Sequence, residues 1–360
     1  MKRTLLSFAV LGAMLATGMT QAGGFDRTGQ DTSIMLKEGS MVETTSVSVN
    51  PKVTGTYTTG GASTGEVAPN YSFTNLGFRT KVSDNFAIAI IQDSPFGADV
   101  SWTAGTYDGT KAKVKSSATT LLTSYDLDSV TIYGGLKNQS LSATATIPGP
   151  SNALAYSITS TADSSLGYVL GAAIEKPEIA MRVALTYHSK ISHDIAVVEK
   201  SVYTGQVAKS SVMSTKTPAS FNLDFQTGIA ESTLLFGSIR RVQWTSMKLA
   251  PAEYALAPGL TLKEFKSDTT SYTLGLGRKF SDSWSGAVTY GKESAGNDKP
   301  SALSPSNGYT KMGFGVTYTG AQANVTLGMQ KVNNGNATAT GVNLTGNTSL
   351  VTAIKVGYKF

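Results

Sequence analysis

Six short turns alternate with seven longer polar segments along this chain, and that cadence constrains its fold more than any single motif does. The turns are Val82–Asn85, Asp126–Ser129, Glu175–Glu178, Ile229–Ser232, Phe280–Ser283 and Thr319–Gln322, each rich in residues that favour tight reversal. The longer segments lie near residues 58–67, 103–112, 148–162, 196–217, 247–268, 294–308 and 334–347 and carry much of the Gly, Ser, Thr, Asn, Lys and Pro. Thirteen connections join fourteen strands, an even number that brings the C-terminus back to the side where the chain began. Tight turns on one side and long loops on the other are the pattern of a closed antiparallel barrel in an outer membrane.

The strands themselves alternate with period 2. Met181, Val183, Leu185 and Tyr187 share one face against Arg182, Ala184, Thr186 and His188. Tyr272, Leu274 and Leu276 alternate with Thr273, Gly275 and Gly277, and Met312, Phe314, Val316 and Tyr318 with Lys311, Gly313, Gly315 and Thr317. The apolar sets suit lipid, and the small or polar sets suit a lumen with room inside it. At the C-terminus Ile354, Val356, Tyr358 and Phe360 share a face and end on an aromatic carboxylate.

Composition agrees. Charged residues are 15% of the chain and cysteine is absent, so neither disulfides nor thiolate metal sites are available. Residues 1–22 read as a secretory leader: Lys2 and Arg3 precede an apolar stretch from Leu5 to Ala16, and Thr20-Gln21-Ala22 forms a small-residue cleavage site. Removing two of 30 basic residues leaves 28 − 24 = +4 over residues 23–360, too mild for a nucleic-acid partner. Past the leader, Gly, Ser, Thr or a charge breaks every apolar run, so a bilayer would be crossed by strands.

Two stretches fall outside the cadence. Residues 23–40 precede the first strand without period-2 patterning, yet Phe25, Ile34, Met35 and Leu36 are apolar enough to pack in a lumen. They read either as a luminal plug or as a terminal tail. The third strand, Asn85 to Trp102, carries Ser94-Pro95-Phe96-Gly97 in its middle. Proline cannot donate to a ladder, and a closed barrel has no edge strand to accommodate it. The alternatives are a break in the wall, open to an apolar molecule passing sideways, and a bulge near the rim.

Several stretches resemble the FadL-type outer-membrane transporters of long-chain fatty acids and other hydrophobic compounds, the OMPP1/FadL/TodX group, in its shorter branch. They are Gly24-Phe25-Asp26-Arg27-Thr28-Gly29-Gln30-Asp31 with Leu36-Lys37-Glu38-Gly39, Ser94 to Asp99, Leu166-Gly167-Tyr168 with Arg182 to Tyr187, and Pro218 to Trp244. The resemblance implies an all-β fold: a fourteen-stranded antiparallel barrel over 41–360, a hatch over 23–40 that includes Phe25, Asp26, Arg27 and Leu36, and a lateral exit at the kink Ser94 to Gly97. It implies residence in the outer membrane of a Gram-negative bacterium and contact with its lipid. The C-terminal Phe360 resembles the signal read by the barrel-assembly machinery, and a monomer is expected. The Asn-Pro-Ala of longer members is missing from the hatch, and only Ala153, Leu154, Tyr156 and Ile158 remain to build an external capture groove.

A fatty acid needs an apolar lining and a cation, ideally an arginine that can bind a carboxylate bidentately. Arg182, Arg240 and Arg241 are the candidates, although all three also read as ordinary lumen or rim charges. Arg240 and Arg241 are adjacent, so only one faces inward. No enzyme is expected: Ser192-His193-Asp194 are consecutive, which points the imidazole away from both neighbours. Two histidines without clustered carboxylates offer no transition-metal site, and no cofactor is implied. The competing functions are a non-specific water-filled porin and, more remotely, a surface adhesin.

Overall fold

The computed structural model describes residues 25–148, 155–256, 261–296, 301–339 and 341–360. The leader read at residues 1–22, with Gly23 and Gly24, lies outside the described residues, as do Ala153 and Leu154.

Fourteen staves form the wall. They are β1 (Met41–Lys52), β2 (Tyr71–Lys81), β3 (Phe86–Asp93 and Gly97–Ser101), β4 (Lys111–Leu127), β5 (Val130–Ile147), β6 (Tyr156–Ser160 and Asp163–Lys176) and β7 (Met181–His188 and Ile191–Ser201). They continue as β8 (Lys209–Thr217 and Ser220–Ala230), β9 (Thr233–Val242), β10 (Thr269–Lys279), β11 (Trp284–Glu293), β12 (Tyr309–Thr319), β13 (Ala323–Asn334) and β14 (Thr348–Lys359). Each stave pairs antiparallel with the next, and β14 closes on β1 from Met41↔Lys359 to Lys52↔Thr348. Closure satisfies the main-chain groups that an open sheet edge would leave bare in lipid.

The expected facing holds. Leu274, Leu276, Met312, Phe314 and Val316 are exposed on the outside, while Gly77 and Gly275 face in. The small inward residues make room for specific neighbours. A Cβ on Gly77 would lie 2.7 Å from Ile34 Cδ1, and one on Gly275 would lie 2.3 Å from the Phe236 ring.

One expectation needs correction. The segments near 148–162 and 196–217 are not long loops: Tyr156–Ser160, Ile191–Ser201 and Lys209–Thr217 are strands, paired to their neighbours through Val197↔Ser160 and Ile195↔Met213. These upper parts face water outside and the barrel interior inside, so Ile195, Val197 and Met213 are buried while Ser, Lys and Thr cover the outer face. A polar outer face reads as loop when lipid is the expected neighbour.

Residues Phe25–Ser40 lie inside the barrel. A short 3-10 turn, Ser33–Leu36, buries Ile34 and Met35. Arg79 Nε on β2 donates to the Met35 carbonyl at 3.2 Å, and Asn222 Nδ2 on β8 donates to the Gly29 carbonyl at 2.8 Å. At the other end of the chain the Phe360 amide donates to the Ser40 carbonyl at 3.1 Å, and its ring stacks on Phe78.

Candidate functional site

The wall breaks where the sequence places proline. β2 and β3 pair only from Lys81↔Ala87 to Leu76↔Gln92, so Tyr71–Asn75 have no partner on that side. Above the break, Gly97–Ser101 pair only with β4, from Gly97↔Lys115 to Ser101↔Lys111. Pro95 has no N–H to donate, and Ser116 Oγ accepts the Phe96 N–H at 2.8 Å in place of a ladder carbonyl.

The luminal segment reaches into this gap and takes the place of the missing strand. The Gly97 amide donates to the Phe25 carbonyl at 2.7 Å, the Arg27 amide donates to the Pro95 carbonyl at 2.9 Å, and Asp26 forms an antiparallel bridge with Phe96. Gly97 leaves room for this approach, because a Cβ there would sit 3.0 Å from Arg27 Nε and 3.2 Å from the Val114 carbonyl, so either neighbour would have to give by a few tenths of an ångström. Arg27 then lies over the Tyr71 ring of β2, 3.5 Å from its centroid, spanning the gap by a cation–π contact.

Directly inside the gap stands an aromatic cluster. Phe25 meets Trp244 at 6.4 Å and Phe265 at 5.5 Å, Phe96 meets Trp244 at 5.6 Å, and Trp244 stacks on Phe265 at 4.9 Å between ring centroids. Val114, Leu141, Ile195, Met213, Met247 and Leu262 extend it as one buried apolar body in the upper lumen. Tyr156 and Ile158 belong to it as well, rather than to a separate outer groove. Lys263 puts a cation at its edge, with Nζ 4.5 Å from the Phe265 ring centroid. The surfaces these residues present are apolar, with one cation at the edge.

The three arginines have separate environments. Arg240 faces the lumen and is buried, and all five of its N–H groups are engaged. Nε and Nη2 hold the Asp26 carboxylate at 2.7 and 3.1 Å, Nη2 also reaches Gln30 Oε1 at 3.3 Å, and Nη1 donates to Ser220 Oγ at 3.0 Å and Asn222 Oδ1 at 2.7 Å. In this arrangement it has no donor left for a ligand, since an arginine carries five. Arg241 is the outward one, exposed at the upper end of β9 and 3.4 Å from Asp268. Arg182 faces the lumen near the short-turn end and donates to the Leu36 carbonyl at 3.1 Å and Gln226 Oε1 at 3.4 Å. Arg182 and Arg240 therefore bind the luminal segment itself.

Below that segment a cavity of about 240 Å³ opens toward the short turns, lined by Leu36, Lys37, Met41, Glu43, Glu175 and Arg182 among others. Glu43 ties Lys37 to Lys355 there, the latter at 3.1 Å. Burial, helped by the nearby Lys355, pulls the Lys37 ammonium down to about 7. Sequence reasoning missed Trp244, Phe265 and Lys263 as site residues. An aromatic beside a cation within the segment 247–268 was the available signal.

Among the described residues no helix is long and apolar enough to cross a membrane, and no cluster of His, Cys, Asp and Glu could hold a metal ion. His193 Nδ1 meets Asp163 Oδ2 at 2.8 Å, and its Nε2 lies 3.3 Å from Gln139 Oε1.

Comparison with known proteins agrees with this architecture. The sequence profile of the outer membrane protein transport protein family (OMPP1/FadL/TodX) matches residues 30–352. A FadL homologue from Pseudomonas aeruginosa superposes with a TM-score of 0.75 over 98% of this chain and 98% of its own, at 14% identity. The toluene transporter TodX of Pseudomonas putida gives 0.63 over 90% of each chain at 11% identity. The toluene transporter TbuX of Ralstonia pickettii gives 0.62 over 90% of each chain at 12% identity. No curated protein sequence matches significantly.

Proposed function

Because this chain belongs to the OMPP1/FadL/TodX family of outer-membrane transport proteins, we propose that it carries long-chain fatty acids or other hydrophobic molecules through a barrel plugged by residues 23–40 and releases them sideways at the break in β3. The observation that carries this reading is the junction of plug and gap. Phe25, Asp26 and Arg27 replace the missing main-chain partner of Pro95–Gly97, so a ligand displacing Phe25 from the aromatic cluster would unseat the same residues that seal the wall. Binding that favours the displaced state shifts the equilibrium by its differential affinity, with no external energy source.

In this mechanism the tail takes the place of Phe25 among Phe96, Trp244 and Phe265, and a fatty acid carboxylate turns toward Lys263. Toluene, named for two of the similar structures, would occupy the same rings without a counter-charge. Release at the gap delivers the molecule at the outer boundary of the hydrocarbon layer, so that an apolar solute need not cross polar headgroups. The route lies within one barrel, so a monomer suffices, and the C-terminal Phe360 serves assembly by the barrel-insertion machinery.

Uptake of radiolabelled oleate by cells lacking their own transporter tests the reading. Pro95→Val/Gly97→Ala, which rebuilds the ladder, should cut uptake by about tenfold or more, in keeping with a gating step. Unchanged uptake by a correctly inserted variant would remove the lateral exit. A water-filled porin instead predicts large steady conductance of the intact protein in a planar bilayer, whereas the plugged barrel should pass little current.

A further inference from the structure

The β6–β7 seam holds a second interruption, four staves round from the first. The two staves pair from Met181↔Lys176 to His188↔Val169 below and from Val197↔Ser160 to Ser201↔Tyr156 above, in one and the same register. The last bonds flanking the interval are Ser189 N to the Tyr168 carbonyl at 3.0 Å and Thr161 N to the Ala196 carbonyl at 3.1 Å. Between them Ala162–Gly167 and Lys190–Ile195 make no main-chain ladder with each other, although Asp163–Gly167 pair with β5 and Ile191–Ile195 with β8. Six residues correspond to a seam about 20 Å long.

The cause is a mismatch of facing. On β7 the inward positions switch from Thr186 and His188 to Ile191, His193 and Ile195 at Ser189–Lys190, and β8 switches with it at Pro218–Ala219. On β6 the switch comes at Thr161–Ala162, at the other end of the seam, from inward Gly167 and Val169 to inward Ile158 and Tyr156. Between the two switches an inward residue of one stave opposes an outward residue of the other, a pairing that a pleated ladder does not allow.

Side chains close this interval in place of the main chain. Ile191 lies so close to Gly167 that a Cβ there would sit 2.6 Å from Ile191 Cγ1. His193 Nδ1 donates to Asp163 Oδ2 at 2.8 Å across the seam, and Ser165 Oγ donates to the same oxygen at 3.0 Å. Gln139 Oε1 lies 3.3 Å from His193 Nε2 and accepts from Thr217 Oγ1 at 2.6 Å. Just below runs an outward aromatic row, Tyr168, Tyr187 and Phe221, with ring centroids 5.9 and 4.9 Å apart. Such rows mark the membrane interface, and unpaired main chain is tolerated there because water and headgroups reach it. Inside, Ile195 and Val197 belong to the same apolar body as Phe25 and Phe96.

We propose that the β6–β7 seam is a second lateral port for hydrophobic ligands, latched by Asp163 and His193, at the far end of the apolar body that begins at β3. This rests on the lateral release proposed above. A ligand held in the body thus has a second way out, at headgroup level just above the aromatic row, and it opens by parting side chains alone.

The chain has no cysteine, so Leu166→Cys/Ser192→Cys places two outward thiols across the seam for a short cleavable dithiol cross-linker. Cross-linking should lower oleate uptake by no more than about a tenth in the native background and abolish what remains in Pro95→Val/Gly97→Ala, with recovery on cleavage, as for any gated route. His193→Ala should raise uptake in the ladder-repaired variant. If the β3 repair alone abolishes uptake and cross-linking adds nothing, the second port is wrong while release at β3 stands. If β3 repair and cross-link together leave uptake unchanged, lateral release fails and takes the port with it. Loss that cleavage does not reverse would also overturn the port, because it reports distortion.

Discussion

From β9 round to β2 the wall is unbroken, and from β3 to β8 it is interrupted four times, at Ser94–Phe96, Thr161–Ala162, Ser189–Lys190 and Pro218–Ala219. The two arcs do different work. Within the regular arc each stave is joined to the next by main-chain bonds, and its inward glycines simply receive bulky partners, as Gly275 receives Phe236. In the interrupted arc the wall is completed by other means: by the N-terminal segment at β3 and by side chains at β6–β7. Regular pairing confers stability in the bilayer, and under the proposed lateral release the departures at β3 and at β6–β7 would put a replaceable seal where a ladder would be permanent.

Five substitutions would break or sharpen this contrast: the first three descend in effect, and the last two form a matched pair. Asp26→Asn leaves the buried Arg240 without its counter-charge, and such a loss costs about 3–5 kcal/mol. The closed state of the luminal segment should weaken accordingly, read as stepwise conductance in planar bilayers and as faster hydrogen exchange at Phe25–Thr28. Trp244→Ala removes the ring that touches Phe25, Phe96 and Phe265, and ligand binding should weaken about tenfold, as expected for lost aromatic contacts. Isothermal titration with oleate measures it.

Lys263→Met should weaken oleate about three- to fivefold, equivalent to a modest charge-assisted bond, and leave toluene unchanged. Equal loss for both ligands would assign Lys263 to packing alone. Last, Val288→Leu on the outer face of β11 should alter neither uptake nor stability beyond about 0.5 kcal/mol, whereas the equally small Gly97→Ala in the interrupted arc should impair uptake. If the two behave alike, the functional division of the wall is wrong.

Much of the regular arc was legible because its physics is local. Turn residues and period-2 alternation mark each stave without reference to any other, which is why strand number and facing could be read directly. The break in β3 was legible for the same reason, since Pro95 forbids a ladder bond wherever it stands. The upper parts of β7 and β8 were not, because their outer face meets water and carries serine and lysine like a loop. Arginine chemistry was visible at Arg182 and Arg240, but the partner was not: Asp26 lies 214 positions from Arg240, and only barrel closure brings them together. Trp244 and Phe265 approach Phe25 for the same non-local reason.

The ties on residues 25–40 are unevenly distributed. At the rear, Arg79 holds the carbonyls of Met35 and Gly39, Arg182 holds that of Leu36, and the chain runs straight into β1. At the front, the gap is sealed by the three residues Phe25–Arg27, clamped through Asp26. The segment is therefore a leash with a fixed post. Thr28 Oγ1 donates to Asp93 Oδ2 at 2.7 Å and Asn222 holds the Gly29 carbonyl, so unlatching the tip alone lets Phe25 swing within about 10 Å, the extended length from Phe25 to Thr28. Under the proposed lateral release, the tip would return to the same slot after each passage, and the plug would stay in the barrel while cargo moves sideways.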